Sequence, residues 1–583
     1  MNKKGEVDLG MFEYEPLEDS NSFRLLLLSP GTGDAPLDCT LVEDSRGGNT
    51  FSYEALSYTW GNSIASHHIT LNGDLFLITP NLYLALRHLR RADVERILWI
   101  DAICINQSSP LEKTQQVSIM RNIYQTAVRV VVWLGEDCTE ACHTISWVSS
   151  HQEGGEKDRK HLVKTARTIM DGCPEPLVDF DSDGMNSRED IAQSRRVQLL
   201  KGFNDLLSRT WWSRVWTLQE VVLNPDVTIM CGYSEVPWNT FMAFVEGIQR
   251  SKPILQVSPD ESTGYQQSLQ RSFSRQQFAR SSSQKMSDLL LQHRGLKASD
   301  PRDNVYALLG LASDMSKSKF LPDYSKSISE VYKRLTREIV VKRKNLAIIC
   351  ASQPSATSRS GLPSWAPDWS SPWIYFCLAR APHNALNTST PDVKFSKDLS
   401  RLKAGGTYLA TIESVSTTYD ASEPTLIEWL KRVRNWDTLI AEWHSDSQPF
   451  SFDCFRQIYS QHVLGSETAY PVDLFAQTPK QAKKSSKKDV MKFRTHMNMM
   501  CLNRKLATMR QSWQYETRIE GLVPCNALPG DRIVVLHGCN VPVVLRKGAA
   551  EDWSFVGDAY VDGYMYGRAF GAFSSVEDVF SIR

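Results

Sequence analysis

A carboxylic acid and two indoles near residue 220 are the side chains with the clearest chemical potential. Trp212, Trp216 and Glu220 are spaced four residues apart, which predicts that they lie along one face of a helix. A carboxyl group beside indole rings is partly desolvated, and desolvation raises its pKa. A carboxylate fixed in such a place can stabilise a developing positive charge. The alternative interpretation is an ion pair between Glu220 and Arg214 or Arg209 that braces the helix.

The elements that would position this carboxyl group alternate between strand and helix signals from about residue 20 to 240. Short apolar runs predict buried strands at 25–28, 51–58, 97–100, 128–134 and 227–231. Helix signals begin at Thr79 and Pro80, continue at 117–127, and return at 203–222 with a break around 209–210. This alternation is typical of an α/β layer with a largely parallel sheet. The polar stretch at 150–195 is expected to be an insertion or a surface excursion.

The rest of the chain divides into segments of different composition. Residues 250–285 are rich in Ser, Gln and Arg and are expected to form a linker or disordered loop. A mostly helical, mixed region is predicted for 286–450. A helical segment with a basic loop at 479–488 is predicted for 451–510, and a small β-rich subdomain for 515–583.

Three sequence blocks carry a resemblance to a known family. They are EALSYTWG at 54–61, LWIDAICINQ at 98–107 and RTWWSRVWTLQE at 209–220. In identity, order and spacing they resemble the heterokaryon-incompatibility (HET) domain of filamentous fungi. DPRDNVYALLG at 300–310 and the ending from 530 to 561 resemble the usual continuation of such proteins.

The resemblance implies both a fold and a function. The fold would be similar to the Toll/interleukin-receptor (TIR) type, a parallel sheet flanked by helices, and the role would be non-self recognition and regulated cell death. Some TIR-type domains cleave the nicotinamide–ribose bond of NAD with a glutamate four residues after a tryptophan. Trp216 and Glu220 have that spacing, which implies that Glu220 is catalytic and that NAD is a substrate. A non-catalytic module that recruits death effectors is the alternative.

Candidate substrate-binding residues follow the predicted strands, because ligands of parallel α/β sheets gather at the carboxyl ends of the strands. Gly61 would allow close approach of a ligand to the backbone, and Trp60 is expected either to stack on a ring or to pack in the core. Asp101 and Asn106 are expected either to bind ribose or amide groups or to bond to local backbone. The full predicted binding set is Tyr58, Trp60, Gly61, Asp101, Asn106, Arg214 and Trp216.

Composition and missing motifs exclude several other functions. The formal net charge is zero, which removes the electrostatic argument for nucleic-acid binding. No apolar run reaches about 18 residues and the start lacks the apolar core of a secretory signal, so we expect a cytoplasmic protein without a membrane span. Walker, GxGxxG, HExxH and GxSxG motifs are missing, and neither a metal nor a cofactor is expected. The resemblance implies self-association and an unknown incompatibility partner.

Overall fold

The chain folds into two compact units in the computed structural model. The first unit comprises Met1–Leu289 and Leu296–Ser325, and the second comprises Leu290–Gly295 and Lys326–Arg583. The structure describes residues 10–45, 51–61, 64–136, 139–151, 156–170, 188–250, 259–281, 283–316, 318–353, 361–380, 385, 391–416, 418, 501–511, 518–548, 552–561, 564–565 and 578–583.

The first unit is built on a nine-stranded mixed sheet. Its strands are β1 (Ser22–Leu28), β2 (Asp38–Ser45), β3 (Glu54–Ser57), β4 (His67–Leu71), β5 (Asp74–Ile78), β6 (Arg96–Trp99), β7 (Arg129–Trp133), β8 (Val227–Cys231) and β9 (Ser234–Pro237). Their order is β5-β4-β2-β1-β6-β3-β7-β8-β9. The four central strands β6, β3, β7 and β8 are mutually parallel. The expectation of a largely parallel sheet holds for these four strands and for the pairing of β2 with β4. It is wrong elsewhere, because β1 pairs antiparallel with β2 and β6, β4 with β5, and β8 with β9.

The helices of the first unit pack around this sheet. They are α1 (Pro80–Leu89), α2 (Asp101–Cys104), α3 (Pro110–Thr126), α4 (Thr139–Ser149), α5 (Glu156–Met170), α6 (Arg188–Ser208), α7 (Trp216–Val222), α8 (Trp238–Arg250), α9 (Pro259–Arg280), α10 (Met286–His293, which crosses the division between the units) and α11 (Asp303–Leu309). A three-ten turn covers Thr210–Ser213.

Local sequence explains where α1 begins and how it packs. The Thr79 side chain accepts a hydrogen bond from the Leu82 backbone N–H, and Pro80 occupies the first turn, as the capping signal predicts. Its buried residues Leu82, Ala85, Leu86 and Leu89 form one stripe. This stripe joins the core of the first unit with strand residues such as Val130, Val131 and Val132.

Two segments that the sequence favours as irregular are helical. Within the polar stretch at 150–195, α5 buries Leu162, Val163 and Ala166, and α6 begins at Arg188. Residues 171–187 lie outside the described residues. Most of the expected linker at 250–285 forms α9. The linker prediction is wrong there because polar composition does not prevent burial when a fixed packing surface supplies hydrogen-bond partners.

The second unit combines a helix with a β-sheet. Its elements are α12 (Ile328–Arg343), three-ten turns at Ala347–Ala351 and Leu378–Arg380, β10 (Val393–Phe395), β11 (Leu402–Val415), β12 (Arg504–Gln511), β13 (Arg518–Pro524), β14 (Arg532–Leu536), β15 (Val543–Lys547), β16 (Trp553–Asp558), β17 (Tyr560–Val561) and β18 (Asp578–Ile582). The β-rich ending predicted from about 515 is present, but β10, β11 and β12 join it from earlier in the chain.

Pairing of β11 with β14 closes a ring of strands in this unit. The sheet runs β14-β15-β16-β18-β11, and β11 then pairs with β14 again. Gly406 allows the closure, because a Cβ there would lie 2.8 Å from the Val535 carbonyl oxygen. The expected helical segment over 451–510 is a strand at its end, β12, and the basic run at 479–488 lies outside the described residues. Within the described part of the chain, no helix is both long and apolar enough to cross a membrane.

Candidate functional site

Glu220 lies on α7, a helix of seven residues that begins at Trp216. The preceding Arg214 has an extended backbone. The three-ten turn that holds Trp212 is therefore separate from α7, and the prediction of one helix face shared by Trp212, Trp216 and Glu220 is wrong. The predicted break near residue 209 is present, since α6 ends at Ser208. Trp212 donates instead to the Leu206 carbonyl at 2.8 Å.

The Glu220 side chain reaches the carboxyl end of the central sheet. Ser57, the last residue of β3, donates a hydrogen bond from its hydroxyl to Glu220 Oε2. Trp211 Nε1 donates in turn to Ser57 Oγ at 2.9 Å. All three side chains are buried, Glu220 to 5% exposure. The carboxyl group therefore lies at the strand ends, as the sequence predicts for a ligand-binding site, but within a closed cluster.

Burial determines the charge state of this carboxyl group. Desolvation raises the pKa of Glu220 to about 8; the charge on Asp101 acts in the same direction, while the Ser57 hydrogen bond, Arg214 and Arg271 oppose it. The alternative ion pair does not form among the described residues, where neither Arg209 nor Arg214 lies within 4 Å of the Glu220 carboxyl oxygens. Carboxyl groups with strongly shifted pKa values recur at functional sites.

A second carboxyl group, Asp101, lies next to this cluster. It follows β6 and accepts a hydrogen bond from Trp60 Nε1 at 2.9 Å through Oδ2. Burial raises its pKa, opposed chiefly by the charge on Arg214. Its Oδ1 atom and the Tyr58 hydroxyl are both buried without a partner in hydrogen-bond geometry. Burial, with the nearby Asp101 charge, raises the pKa of Tyr58. Asp101 and Tyr58 are close enough to shift each other's pKa, and a water or ligand group can satisfy polar atoms of this kind.

Of the remaining predicted binding residues, some contact the Glu220 site and others bond only to neighbouring residues in the chain. Arg214 donates to the Tyr58 carbonyl at 3.2 Å. Gly61 is exposed with a φ of 71°, a left-handed conformation that favours glycine. Asn106 Oδ1 accepts from the Ser108 backbone at 3.1 Å, which matches the local interpretation of this residue. None of these contacts tests ligand binding, which stays a prediction.

Trp216 lies next to residues 300–310, a motif to which the sequence analysis assigned no function. Its side chain is close enough to Asp303, the first residue of α11 in the segment DPRDNVYALLG, to oppose the rise in the pKa of that carboxyl group that burial causes. The Tyr324 hydroxyl donates to Asp303 Oδ1 at 2.7 Å. A Cβ at Gly310 would lie 2.8 Å from Gln219 Oε1, so the end of α11 also approaches α7 closely. The motif signal was present, but its partner could be identified only in three dimensions.

Arg271 on α9 is the charged neighbour of Glu220 that the linker prediction concealed. It is 1% exposed and donates to the Arg214 carbonyl and to Thr217 Oγ1, both at 2.9 Å. Its guanidinium carbon lies 5.4 Å from the centre of the Trp211 ring.

Cys104 does not resemble an activated nucleophile. Cys104 is buried, and desolvation raises its pKa to about 12, so its reactive thiolate is scarce at neutral pH. Cys142 accepts a hydrogen bond from Ser234 Oγ at 3.1 Å. Cys138 lies outside the described residues.

Comparison with known proteins shows that the residues around Glu220 lie within a region that matches a protein family. Residues 53–220 match the family model of the heterokaryon incompatibility protein (HET), and residues 440–580 match that of the Het-6 beta-barrel domain. The chain is 26% identical over 621 residues to heterokaryon incompatibility protein 6, OR allele, of Neurospora crassa, across 89% of this chain and 90% of that protein. No solved structure gives a significant match. The first matched region includes Ser57, Asp101, Trp211 and Glu220, whereas α9 and α11 follow it.

Proposed function

We propose that this homologue of a heterokaryon incompatibility protein acts in fungal non-self recognition, and that its first unit cleaves the nicotinamide–ribose bond of NAD. Support for the first part comes from two family models and one relative aligned over most of both chains. The second part depends on Glu220. Its carboxyl group lies at the carboxyl ends of the parallel strands, bound to Ser57 and close to Asp101.

The chemistry of this reaction needs a fixed carboxylate. As the glycosidic bond breaks, nicotinamide leaves with the bonding electron pair and positive charge develops on the ribose. An ionised Glu220 would stabilise that charge or hold the ribose hydroxyls, and water would then add to the ribose and release a proton. Because burial favours the protonated acid, Glu220 must gain access to solvent or substrate before it can act in this way.

Burial also favours a second candidate function. Glu220 is 5% exposed, and its bond to Ser57 joins α7 to the end of β3. A carboxyl group in this position can serve as an internal brace of a non-catalytic module that recruits death effectors through its surface. In that case the family role stands while the NAD chemistry does not.

NAD consumption by the purified full chain separates these candidates. We expect the wild type to consume NAD, and Glu220→Ala and Glu220→Gln to lose about 100-fold or more of the rate. Glu235→Gln is the matched control, because Glu235 is an exposed glutamate of the same unit. Equal NAD loss in all four proteins would end the catalytic assignment.

Self-association is a further part of the proposal and is measured on the same samples. Light scattering over a range of protein concentrations should show a size that grows with concentration. A wild type that associates but consumes no NAD would favour the recruiting module. A monomer at every concentration would contradict self-association.

A further inference from the structure

Helix α9 carries two arginines one turn apart that bind the two ends of α7. Arg271 donates to the Arg214 carbonyl and to Thr217 Oγ1 at 2.9 Å, at the start of α7. Arg275 donates to the Val221 carbonyl, to the Asn224 carbonyl at 2.8 Å and to the Pro225 carbonyl at 3.1 Å, at its end. The last carbonyls of a helix have no partner within the helix and carry partial negative charge, so a cation binds them well.

The Arg271 guanidinium is buried and that of Arg275 is half-buried, and neither has a directly bound carboxylate. Among the described residues, neither Arg271 nor Arg275 has an acidic group within 4 Å; their hydrogen bonds go to neutral oxygens. Desolvation lowers the pKa of Arg271 to about 9 and that of Arg275 to about 10. Burying a cation without a counter-charge is costly. Separation of α9 from α7 would return Arg271 to water, expose Arg275 further and recover part of that cost.

This contact lies on the side of α7 that carries Glu220. Thr217, which Arg271 binds, precedes Glu220 by three residues and shares its helix face. Arg271 also lies over Trp211, which binds Ser57, which in turn binds Glu220. Glu220 and Arg271 are close enough to influence each other electrostatically. Displacement of α9 would therefore remove one wall of the cluster around Glu220.

We propose that α9 is a cover over the Glu220 site, held closed by Arg271 and Arg275 on the two ends of α7. Opening of this cover is the step that exposes the carboxyl group. The effect of opening on NAD cleavage rests on the proposed function, whereas the cover depends only on the contacts between α9 and α7. Helix α9 follows the matched region 53–220, as do β8 and β9 of the same sheet.

Hydrogen–deuterium exchange of the full chain tests the cover directly. Arg271→Ala removes two charge-assisted hydrogen bonds, so protection of the α7 and α9 amides should fall at least about tenfold. Gly264→Ala tests the cover without removing an arginine hydrogen bond. The added Cβ would lie 1.8 Å from the Leu207 carbonyl oxygen on α6 and push α9 away. Arg280→Ala is the control, since Arg280 is exposed on the same helix.

The outcomes distinguish this proposal from the proposed function. Faster exchange in α7 and α9 of either variant, with β3 and β7 still protected, supports the cover. Unchanged exchange, or loss of protection throughout the first unit, would overturn it and make α9 an ordinary core helix. If Arg271→Ala does not fold, Arg271→Lys is the substitute. It keeps the positive charge but lacks the planar guanidinium, so the exchange rate of the α7 and α9 amides should increase less. Local opening with faster NAD consumption supports both proposals, and local opening without NAD consumption leaves the cover but contradicts the NAD chemistry.

Discussion

The hydroxyl of Ser57 donates a hydrogen bond to the carboxyl group of Glu220, which lies 163 residues later in the chain. The bond joins the end of a central parallel strand to a short helix that local sequence alone would hold weakly. Trp211 completes the arrangement by donating to Ser57. The carboxyl group is thus held by a polar relay rather than by an ion pair.

Ser57→Ala should destabilise the first unit. The substitution leaves the Trp211 N–H and one Glu220 oxygen buried without a partner, and each unsatisfied group costs about 1–3 kcal/mol. Urea denaturation measures the change in the free energy of unfolding. Ser118→Ala is the control, because Ser118 is exposed on α3 and should change that free energy by less than about 0.5 kcal/mol. Equal stability of the two variants would contradict a structural role for the relay.

Stability should depend on pH through Glu220. Its pKa is raised from 4.5 to about 8 in the folded protein, so between these values the folded state holds a proton that the unfolded chain has lost. The contribution is complete below about pH 4.5 and is lost as the pH rises towards 8, with a maximum slope on the order of 1 kcal/mol per pH unit.

Glu220→Gln isolates this contribution from those of other groups; the charged or titratable side chains that face Glu220 are Asp101, Tyr58, Arg214 and Arg271. The amide imitates the protonated acid. Urea denaturation from pH 5 to pH 9 should show similar stability of variant and wild type at pH 5, and a growing advantage for Glu220→Gln at higher pH. A constant difference across that range would show that Glu220 does not titrate there.

Asp303→Ala should weaken the support of α7. Asp303 is buried and accepts a hydrogen bond from the Tyr324 hydroxyl at 2.7 Å, so its removal leaves this part-buried donor unpaired at a cost of about 1–3 kcal/mol. Asp303→Asn keeps an acceptor oxygen and should lose less. Urea denaturation of both variants measures the order of stability, and an equal loss would argue that only the charge matters.

In the second unit, Asp558→Ala should cause a large loss of stability. Asp558 and Arg504 form a fully buried ion pair with side chains 0% exposed, and removing one partner leaves an uncompensated charge, which costs about 3–5 kcal/mol. Asp552→Ala is a matched control, because Asp552 pairs with the half-exposed Arg401 at 2.9 Å. A surface pair of this kind contributes about 0–1 kcal/mol. Comparable urea midpoints for the two variants would contradict this difference.

Elements with local signals could be predicted from the amino-acid sequence. The Thr79–Pro80 cap set the start of α1, and the apolar run at 128–134 indicated the position of β7. Local patterns succeed here because a cap or a buried strand is recognised from neighbouring residues. The predicted strand ends also indicated that the segments after β3 and β6 lie at one edge of the sheet.

Tertiary structure alone decided what surrounds Glu220 and how far it is covered. The sequence placed Trp212 on the same helix, but the extended backbone at Arg214 separates them. The sequence indicated a linker at 250–285. In the structure, Arg271 from that segment is buried beside the Glu220 carboxyl group. These features depend on contacts between residues far apart in the chain. The same polar residues are solvated when isolated and buried when a partner surface supplies their hydrogen bonds, so composition could not distinguish the two states.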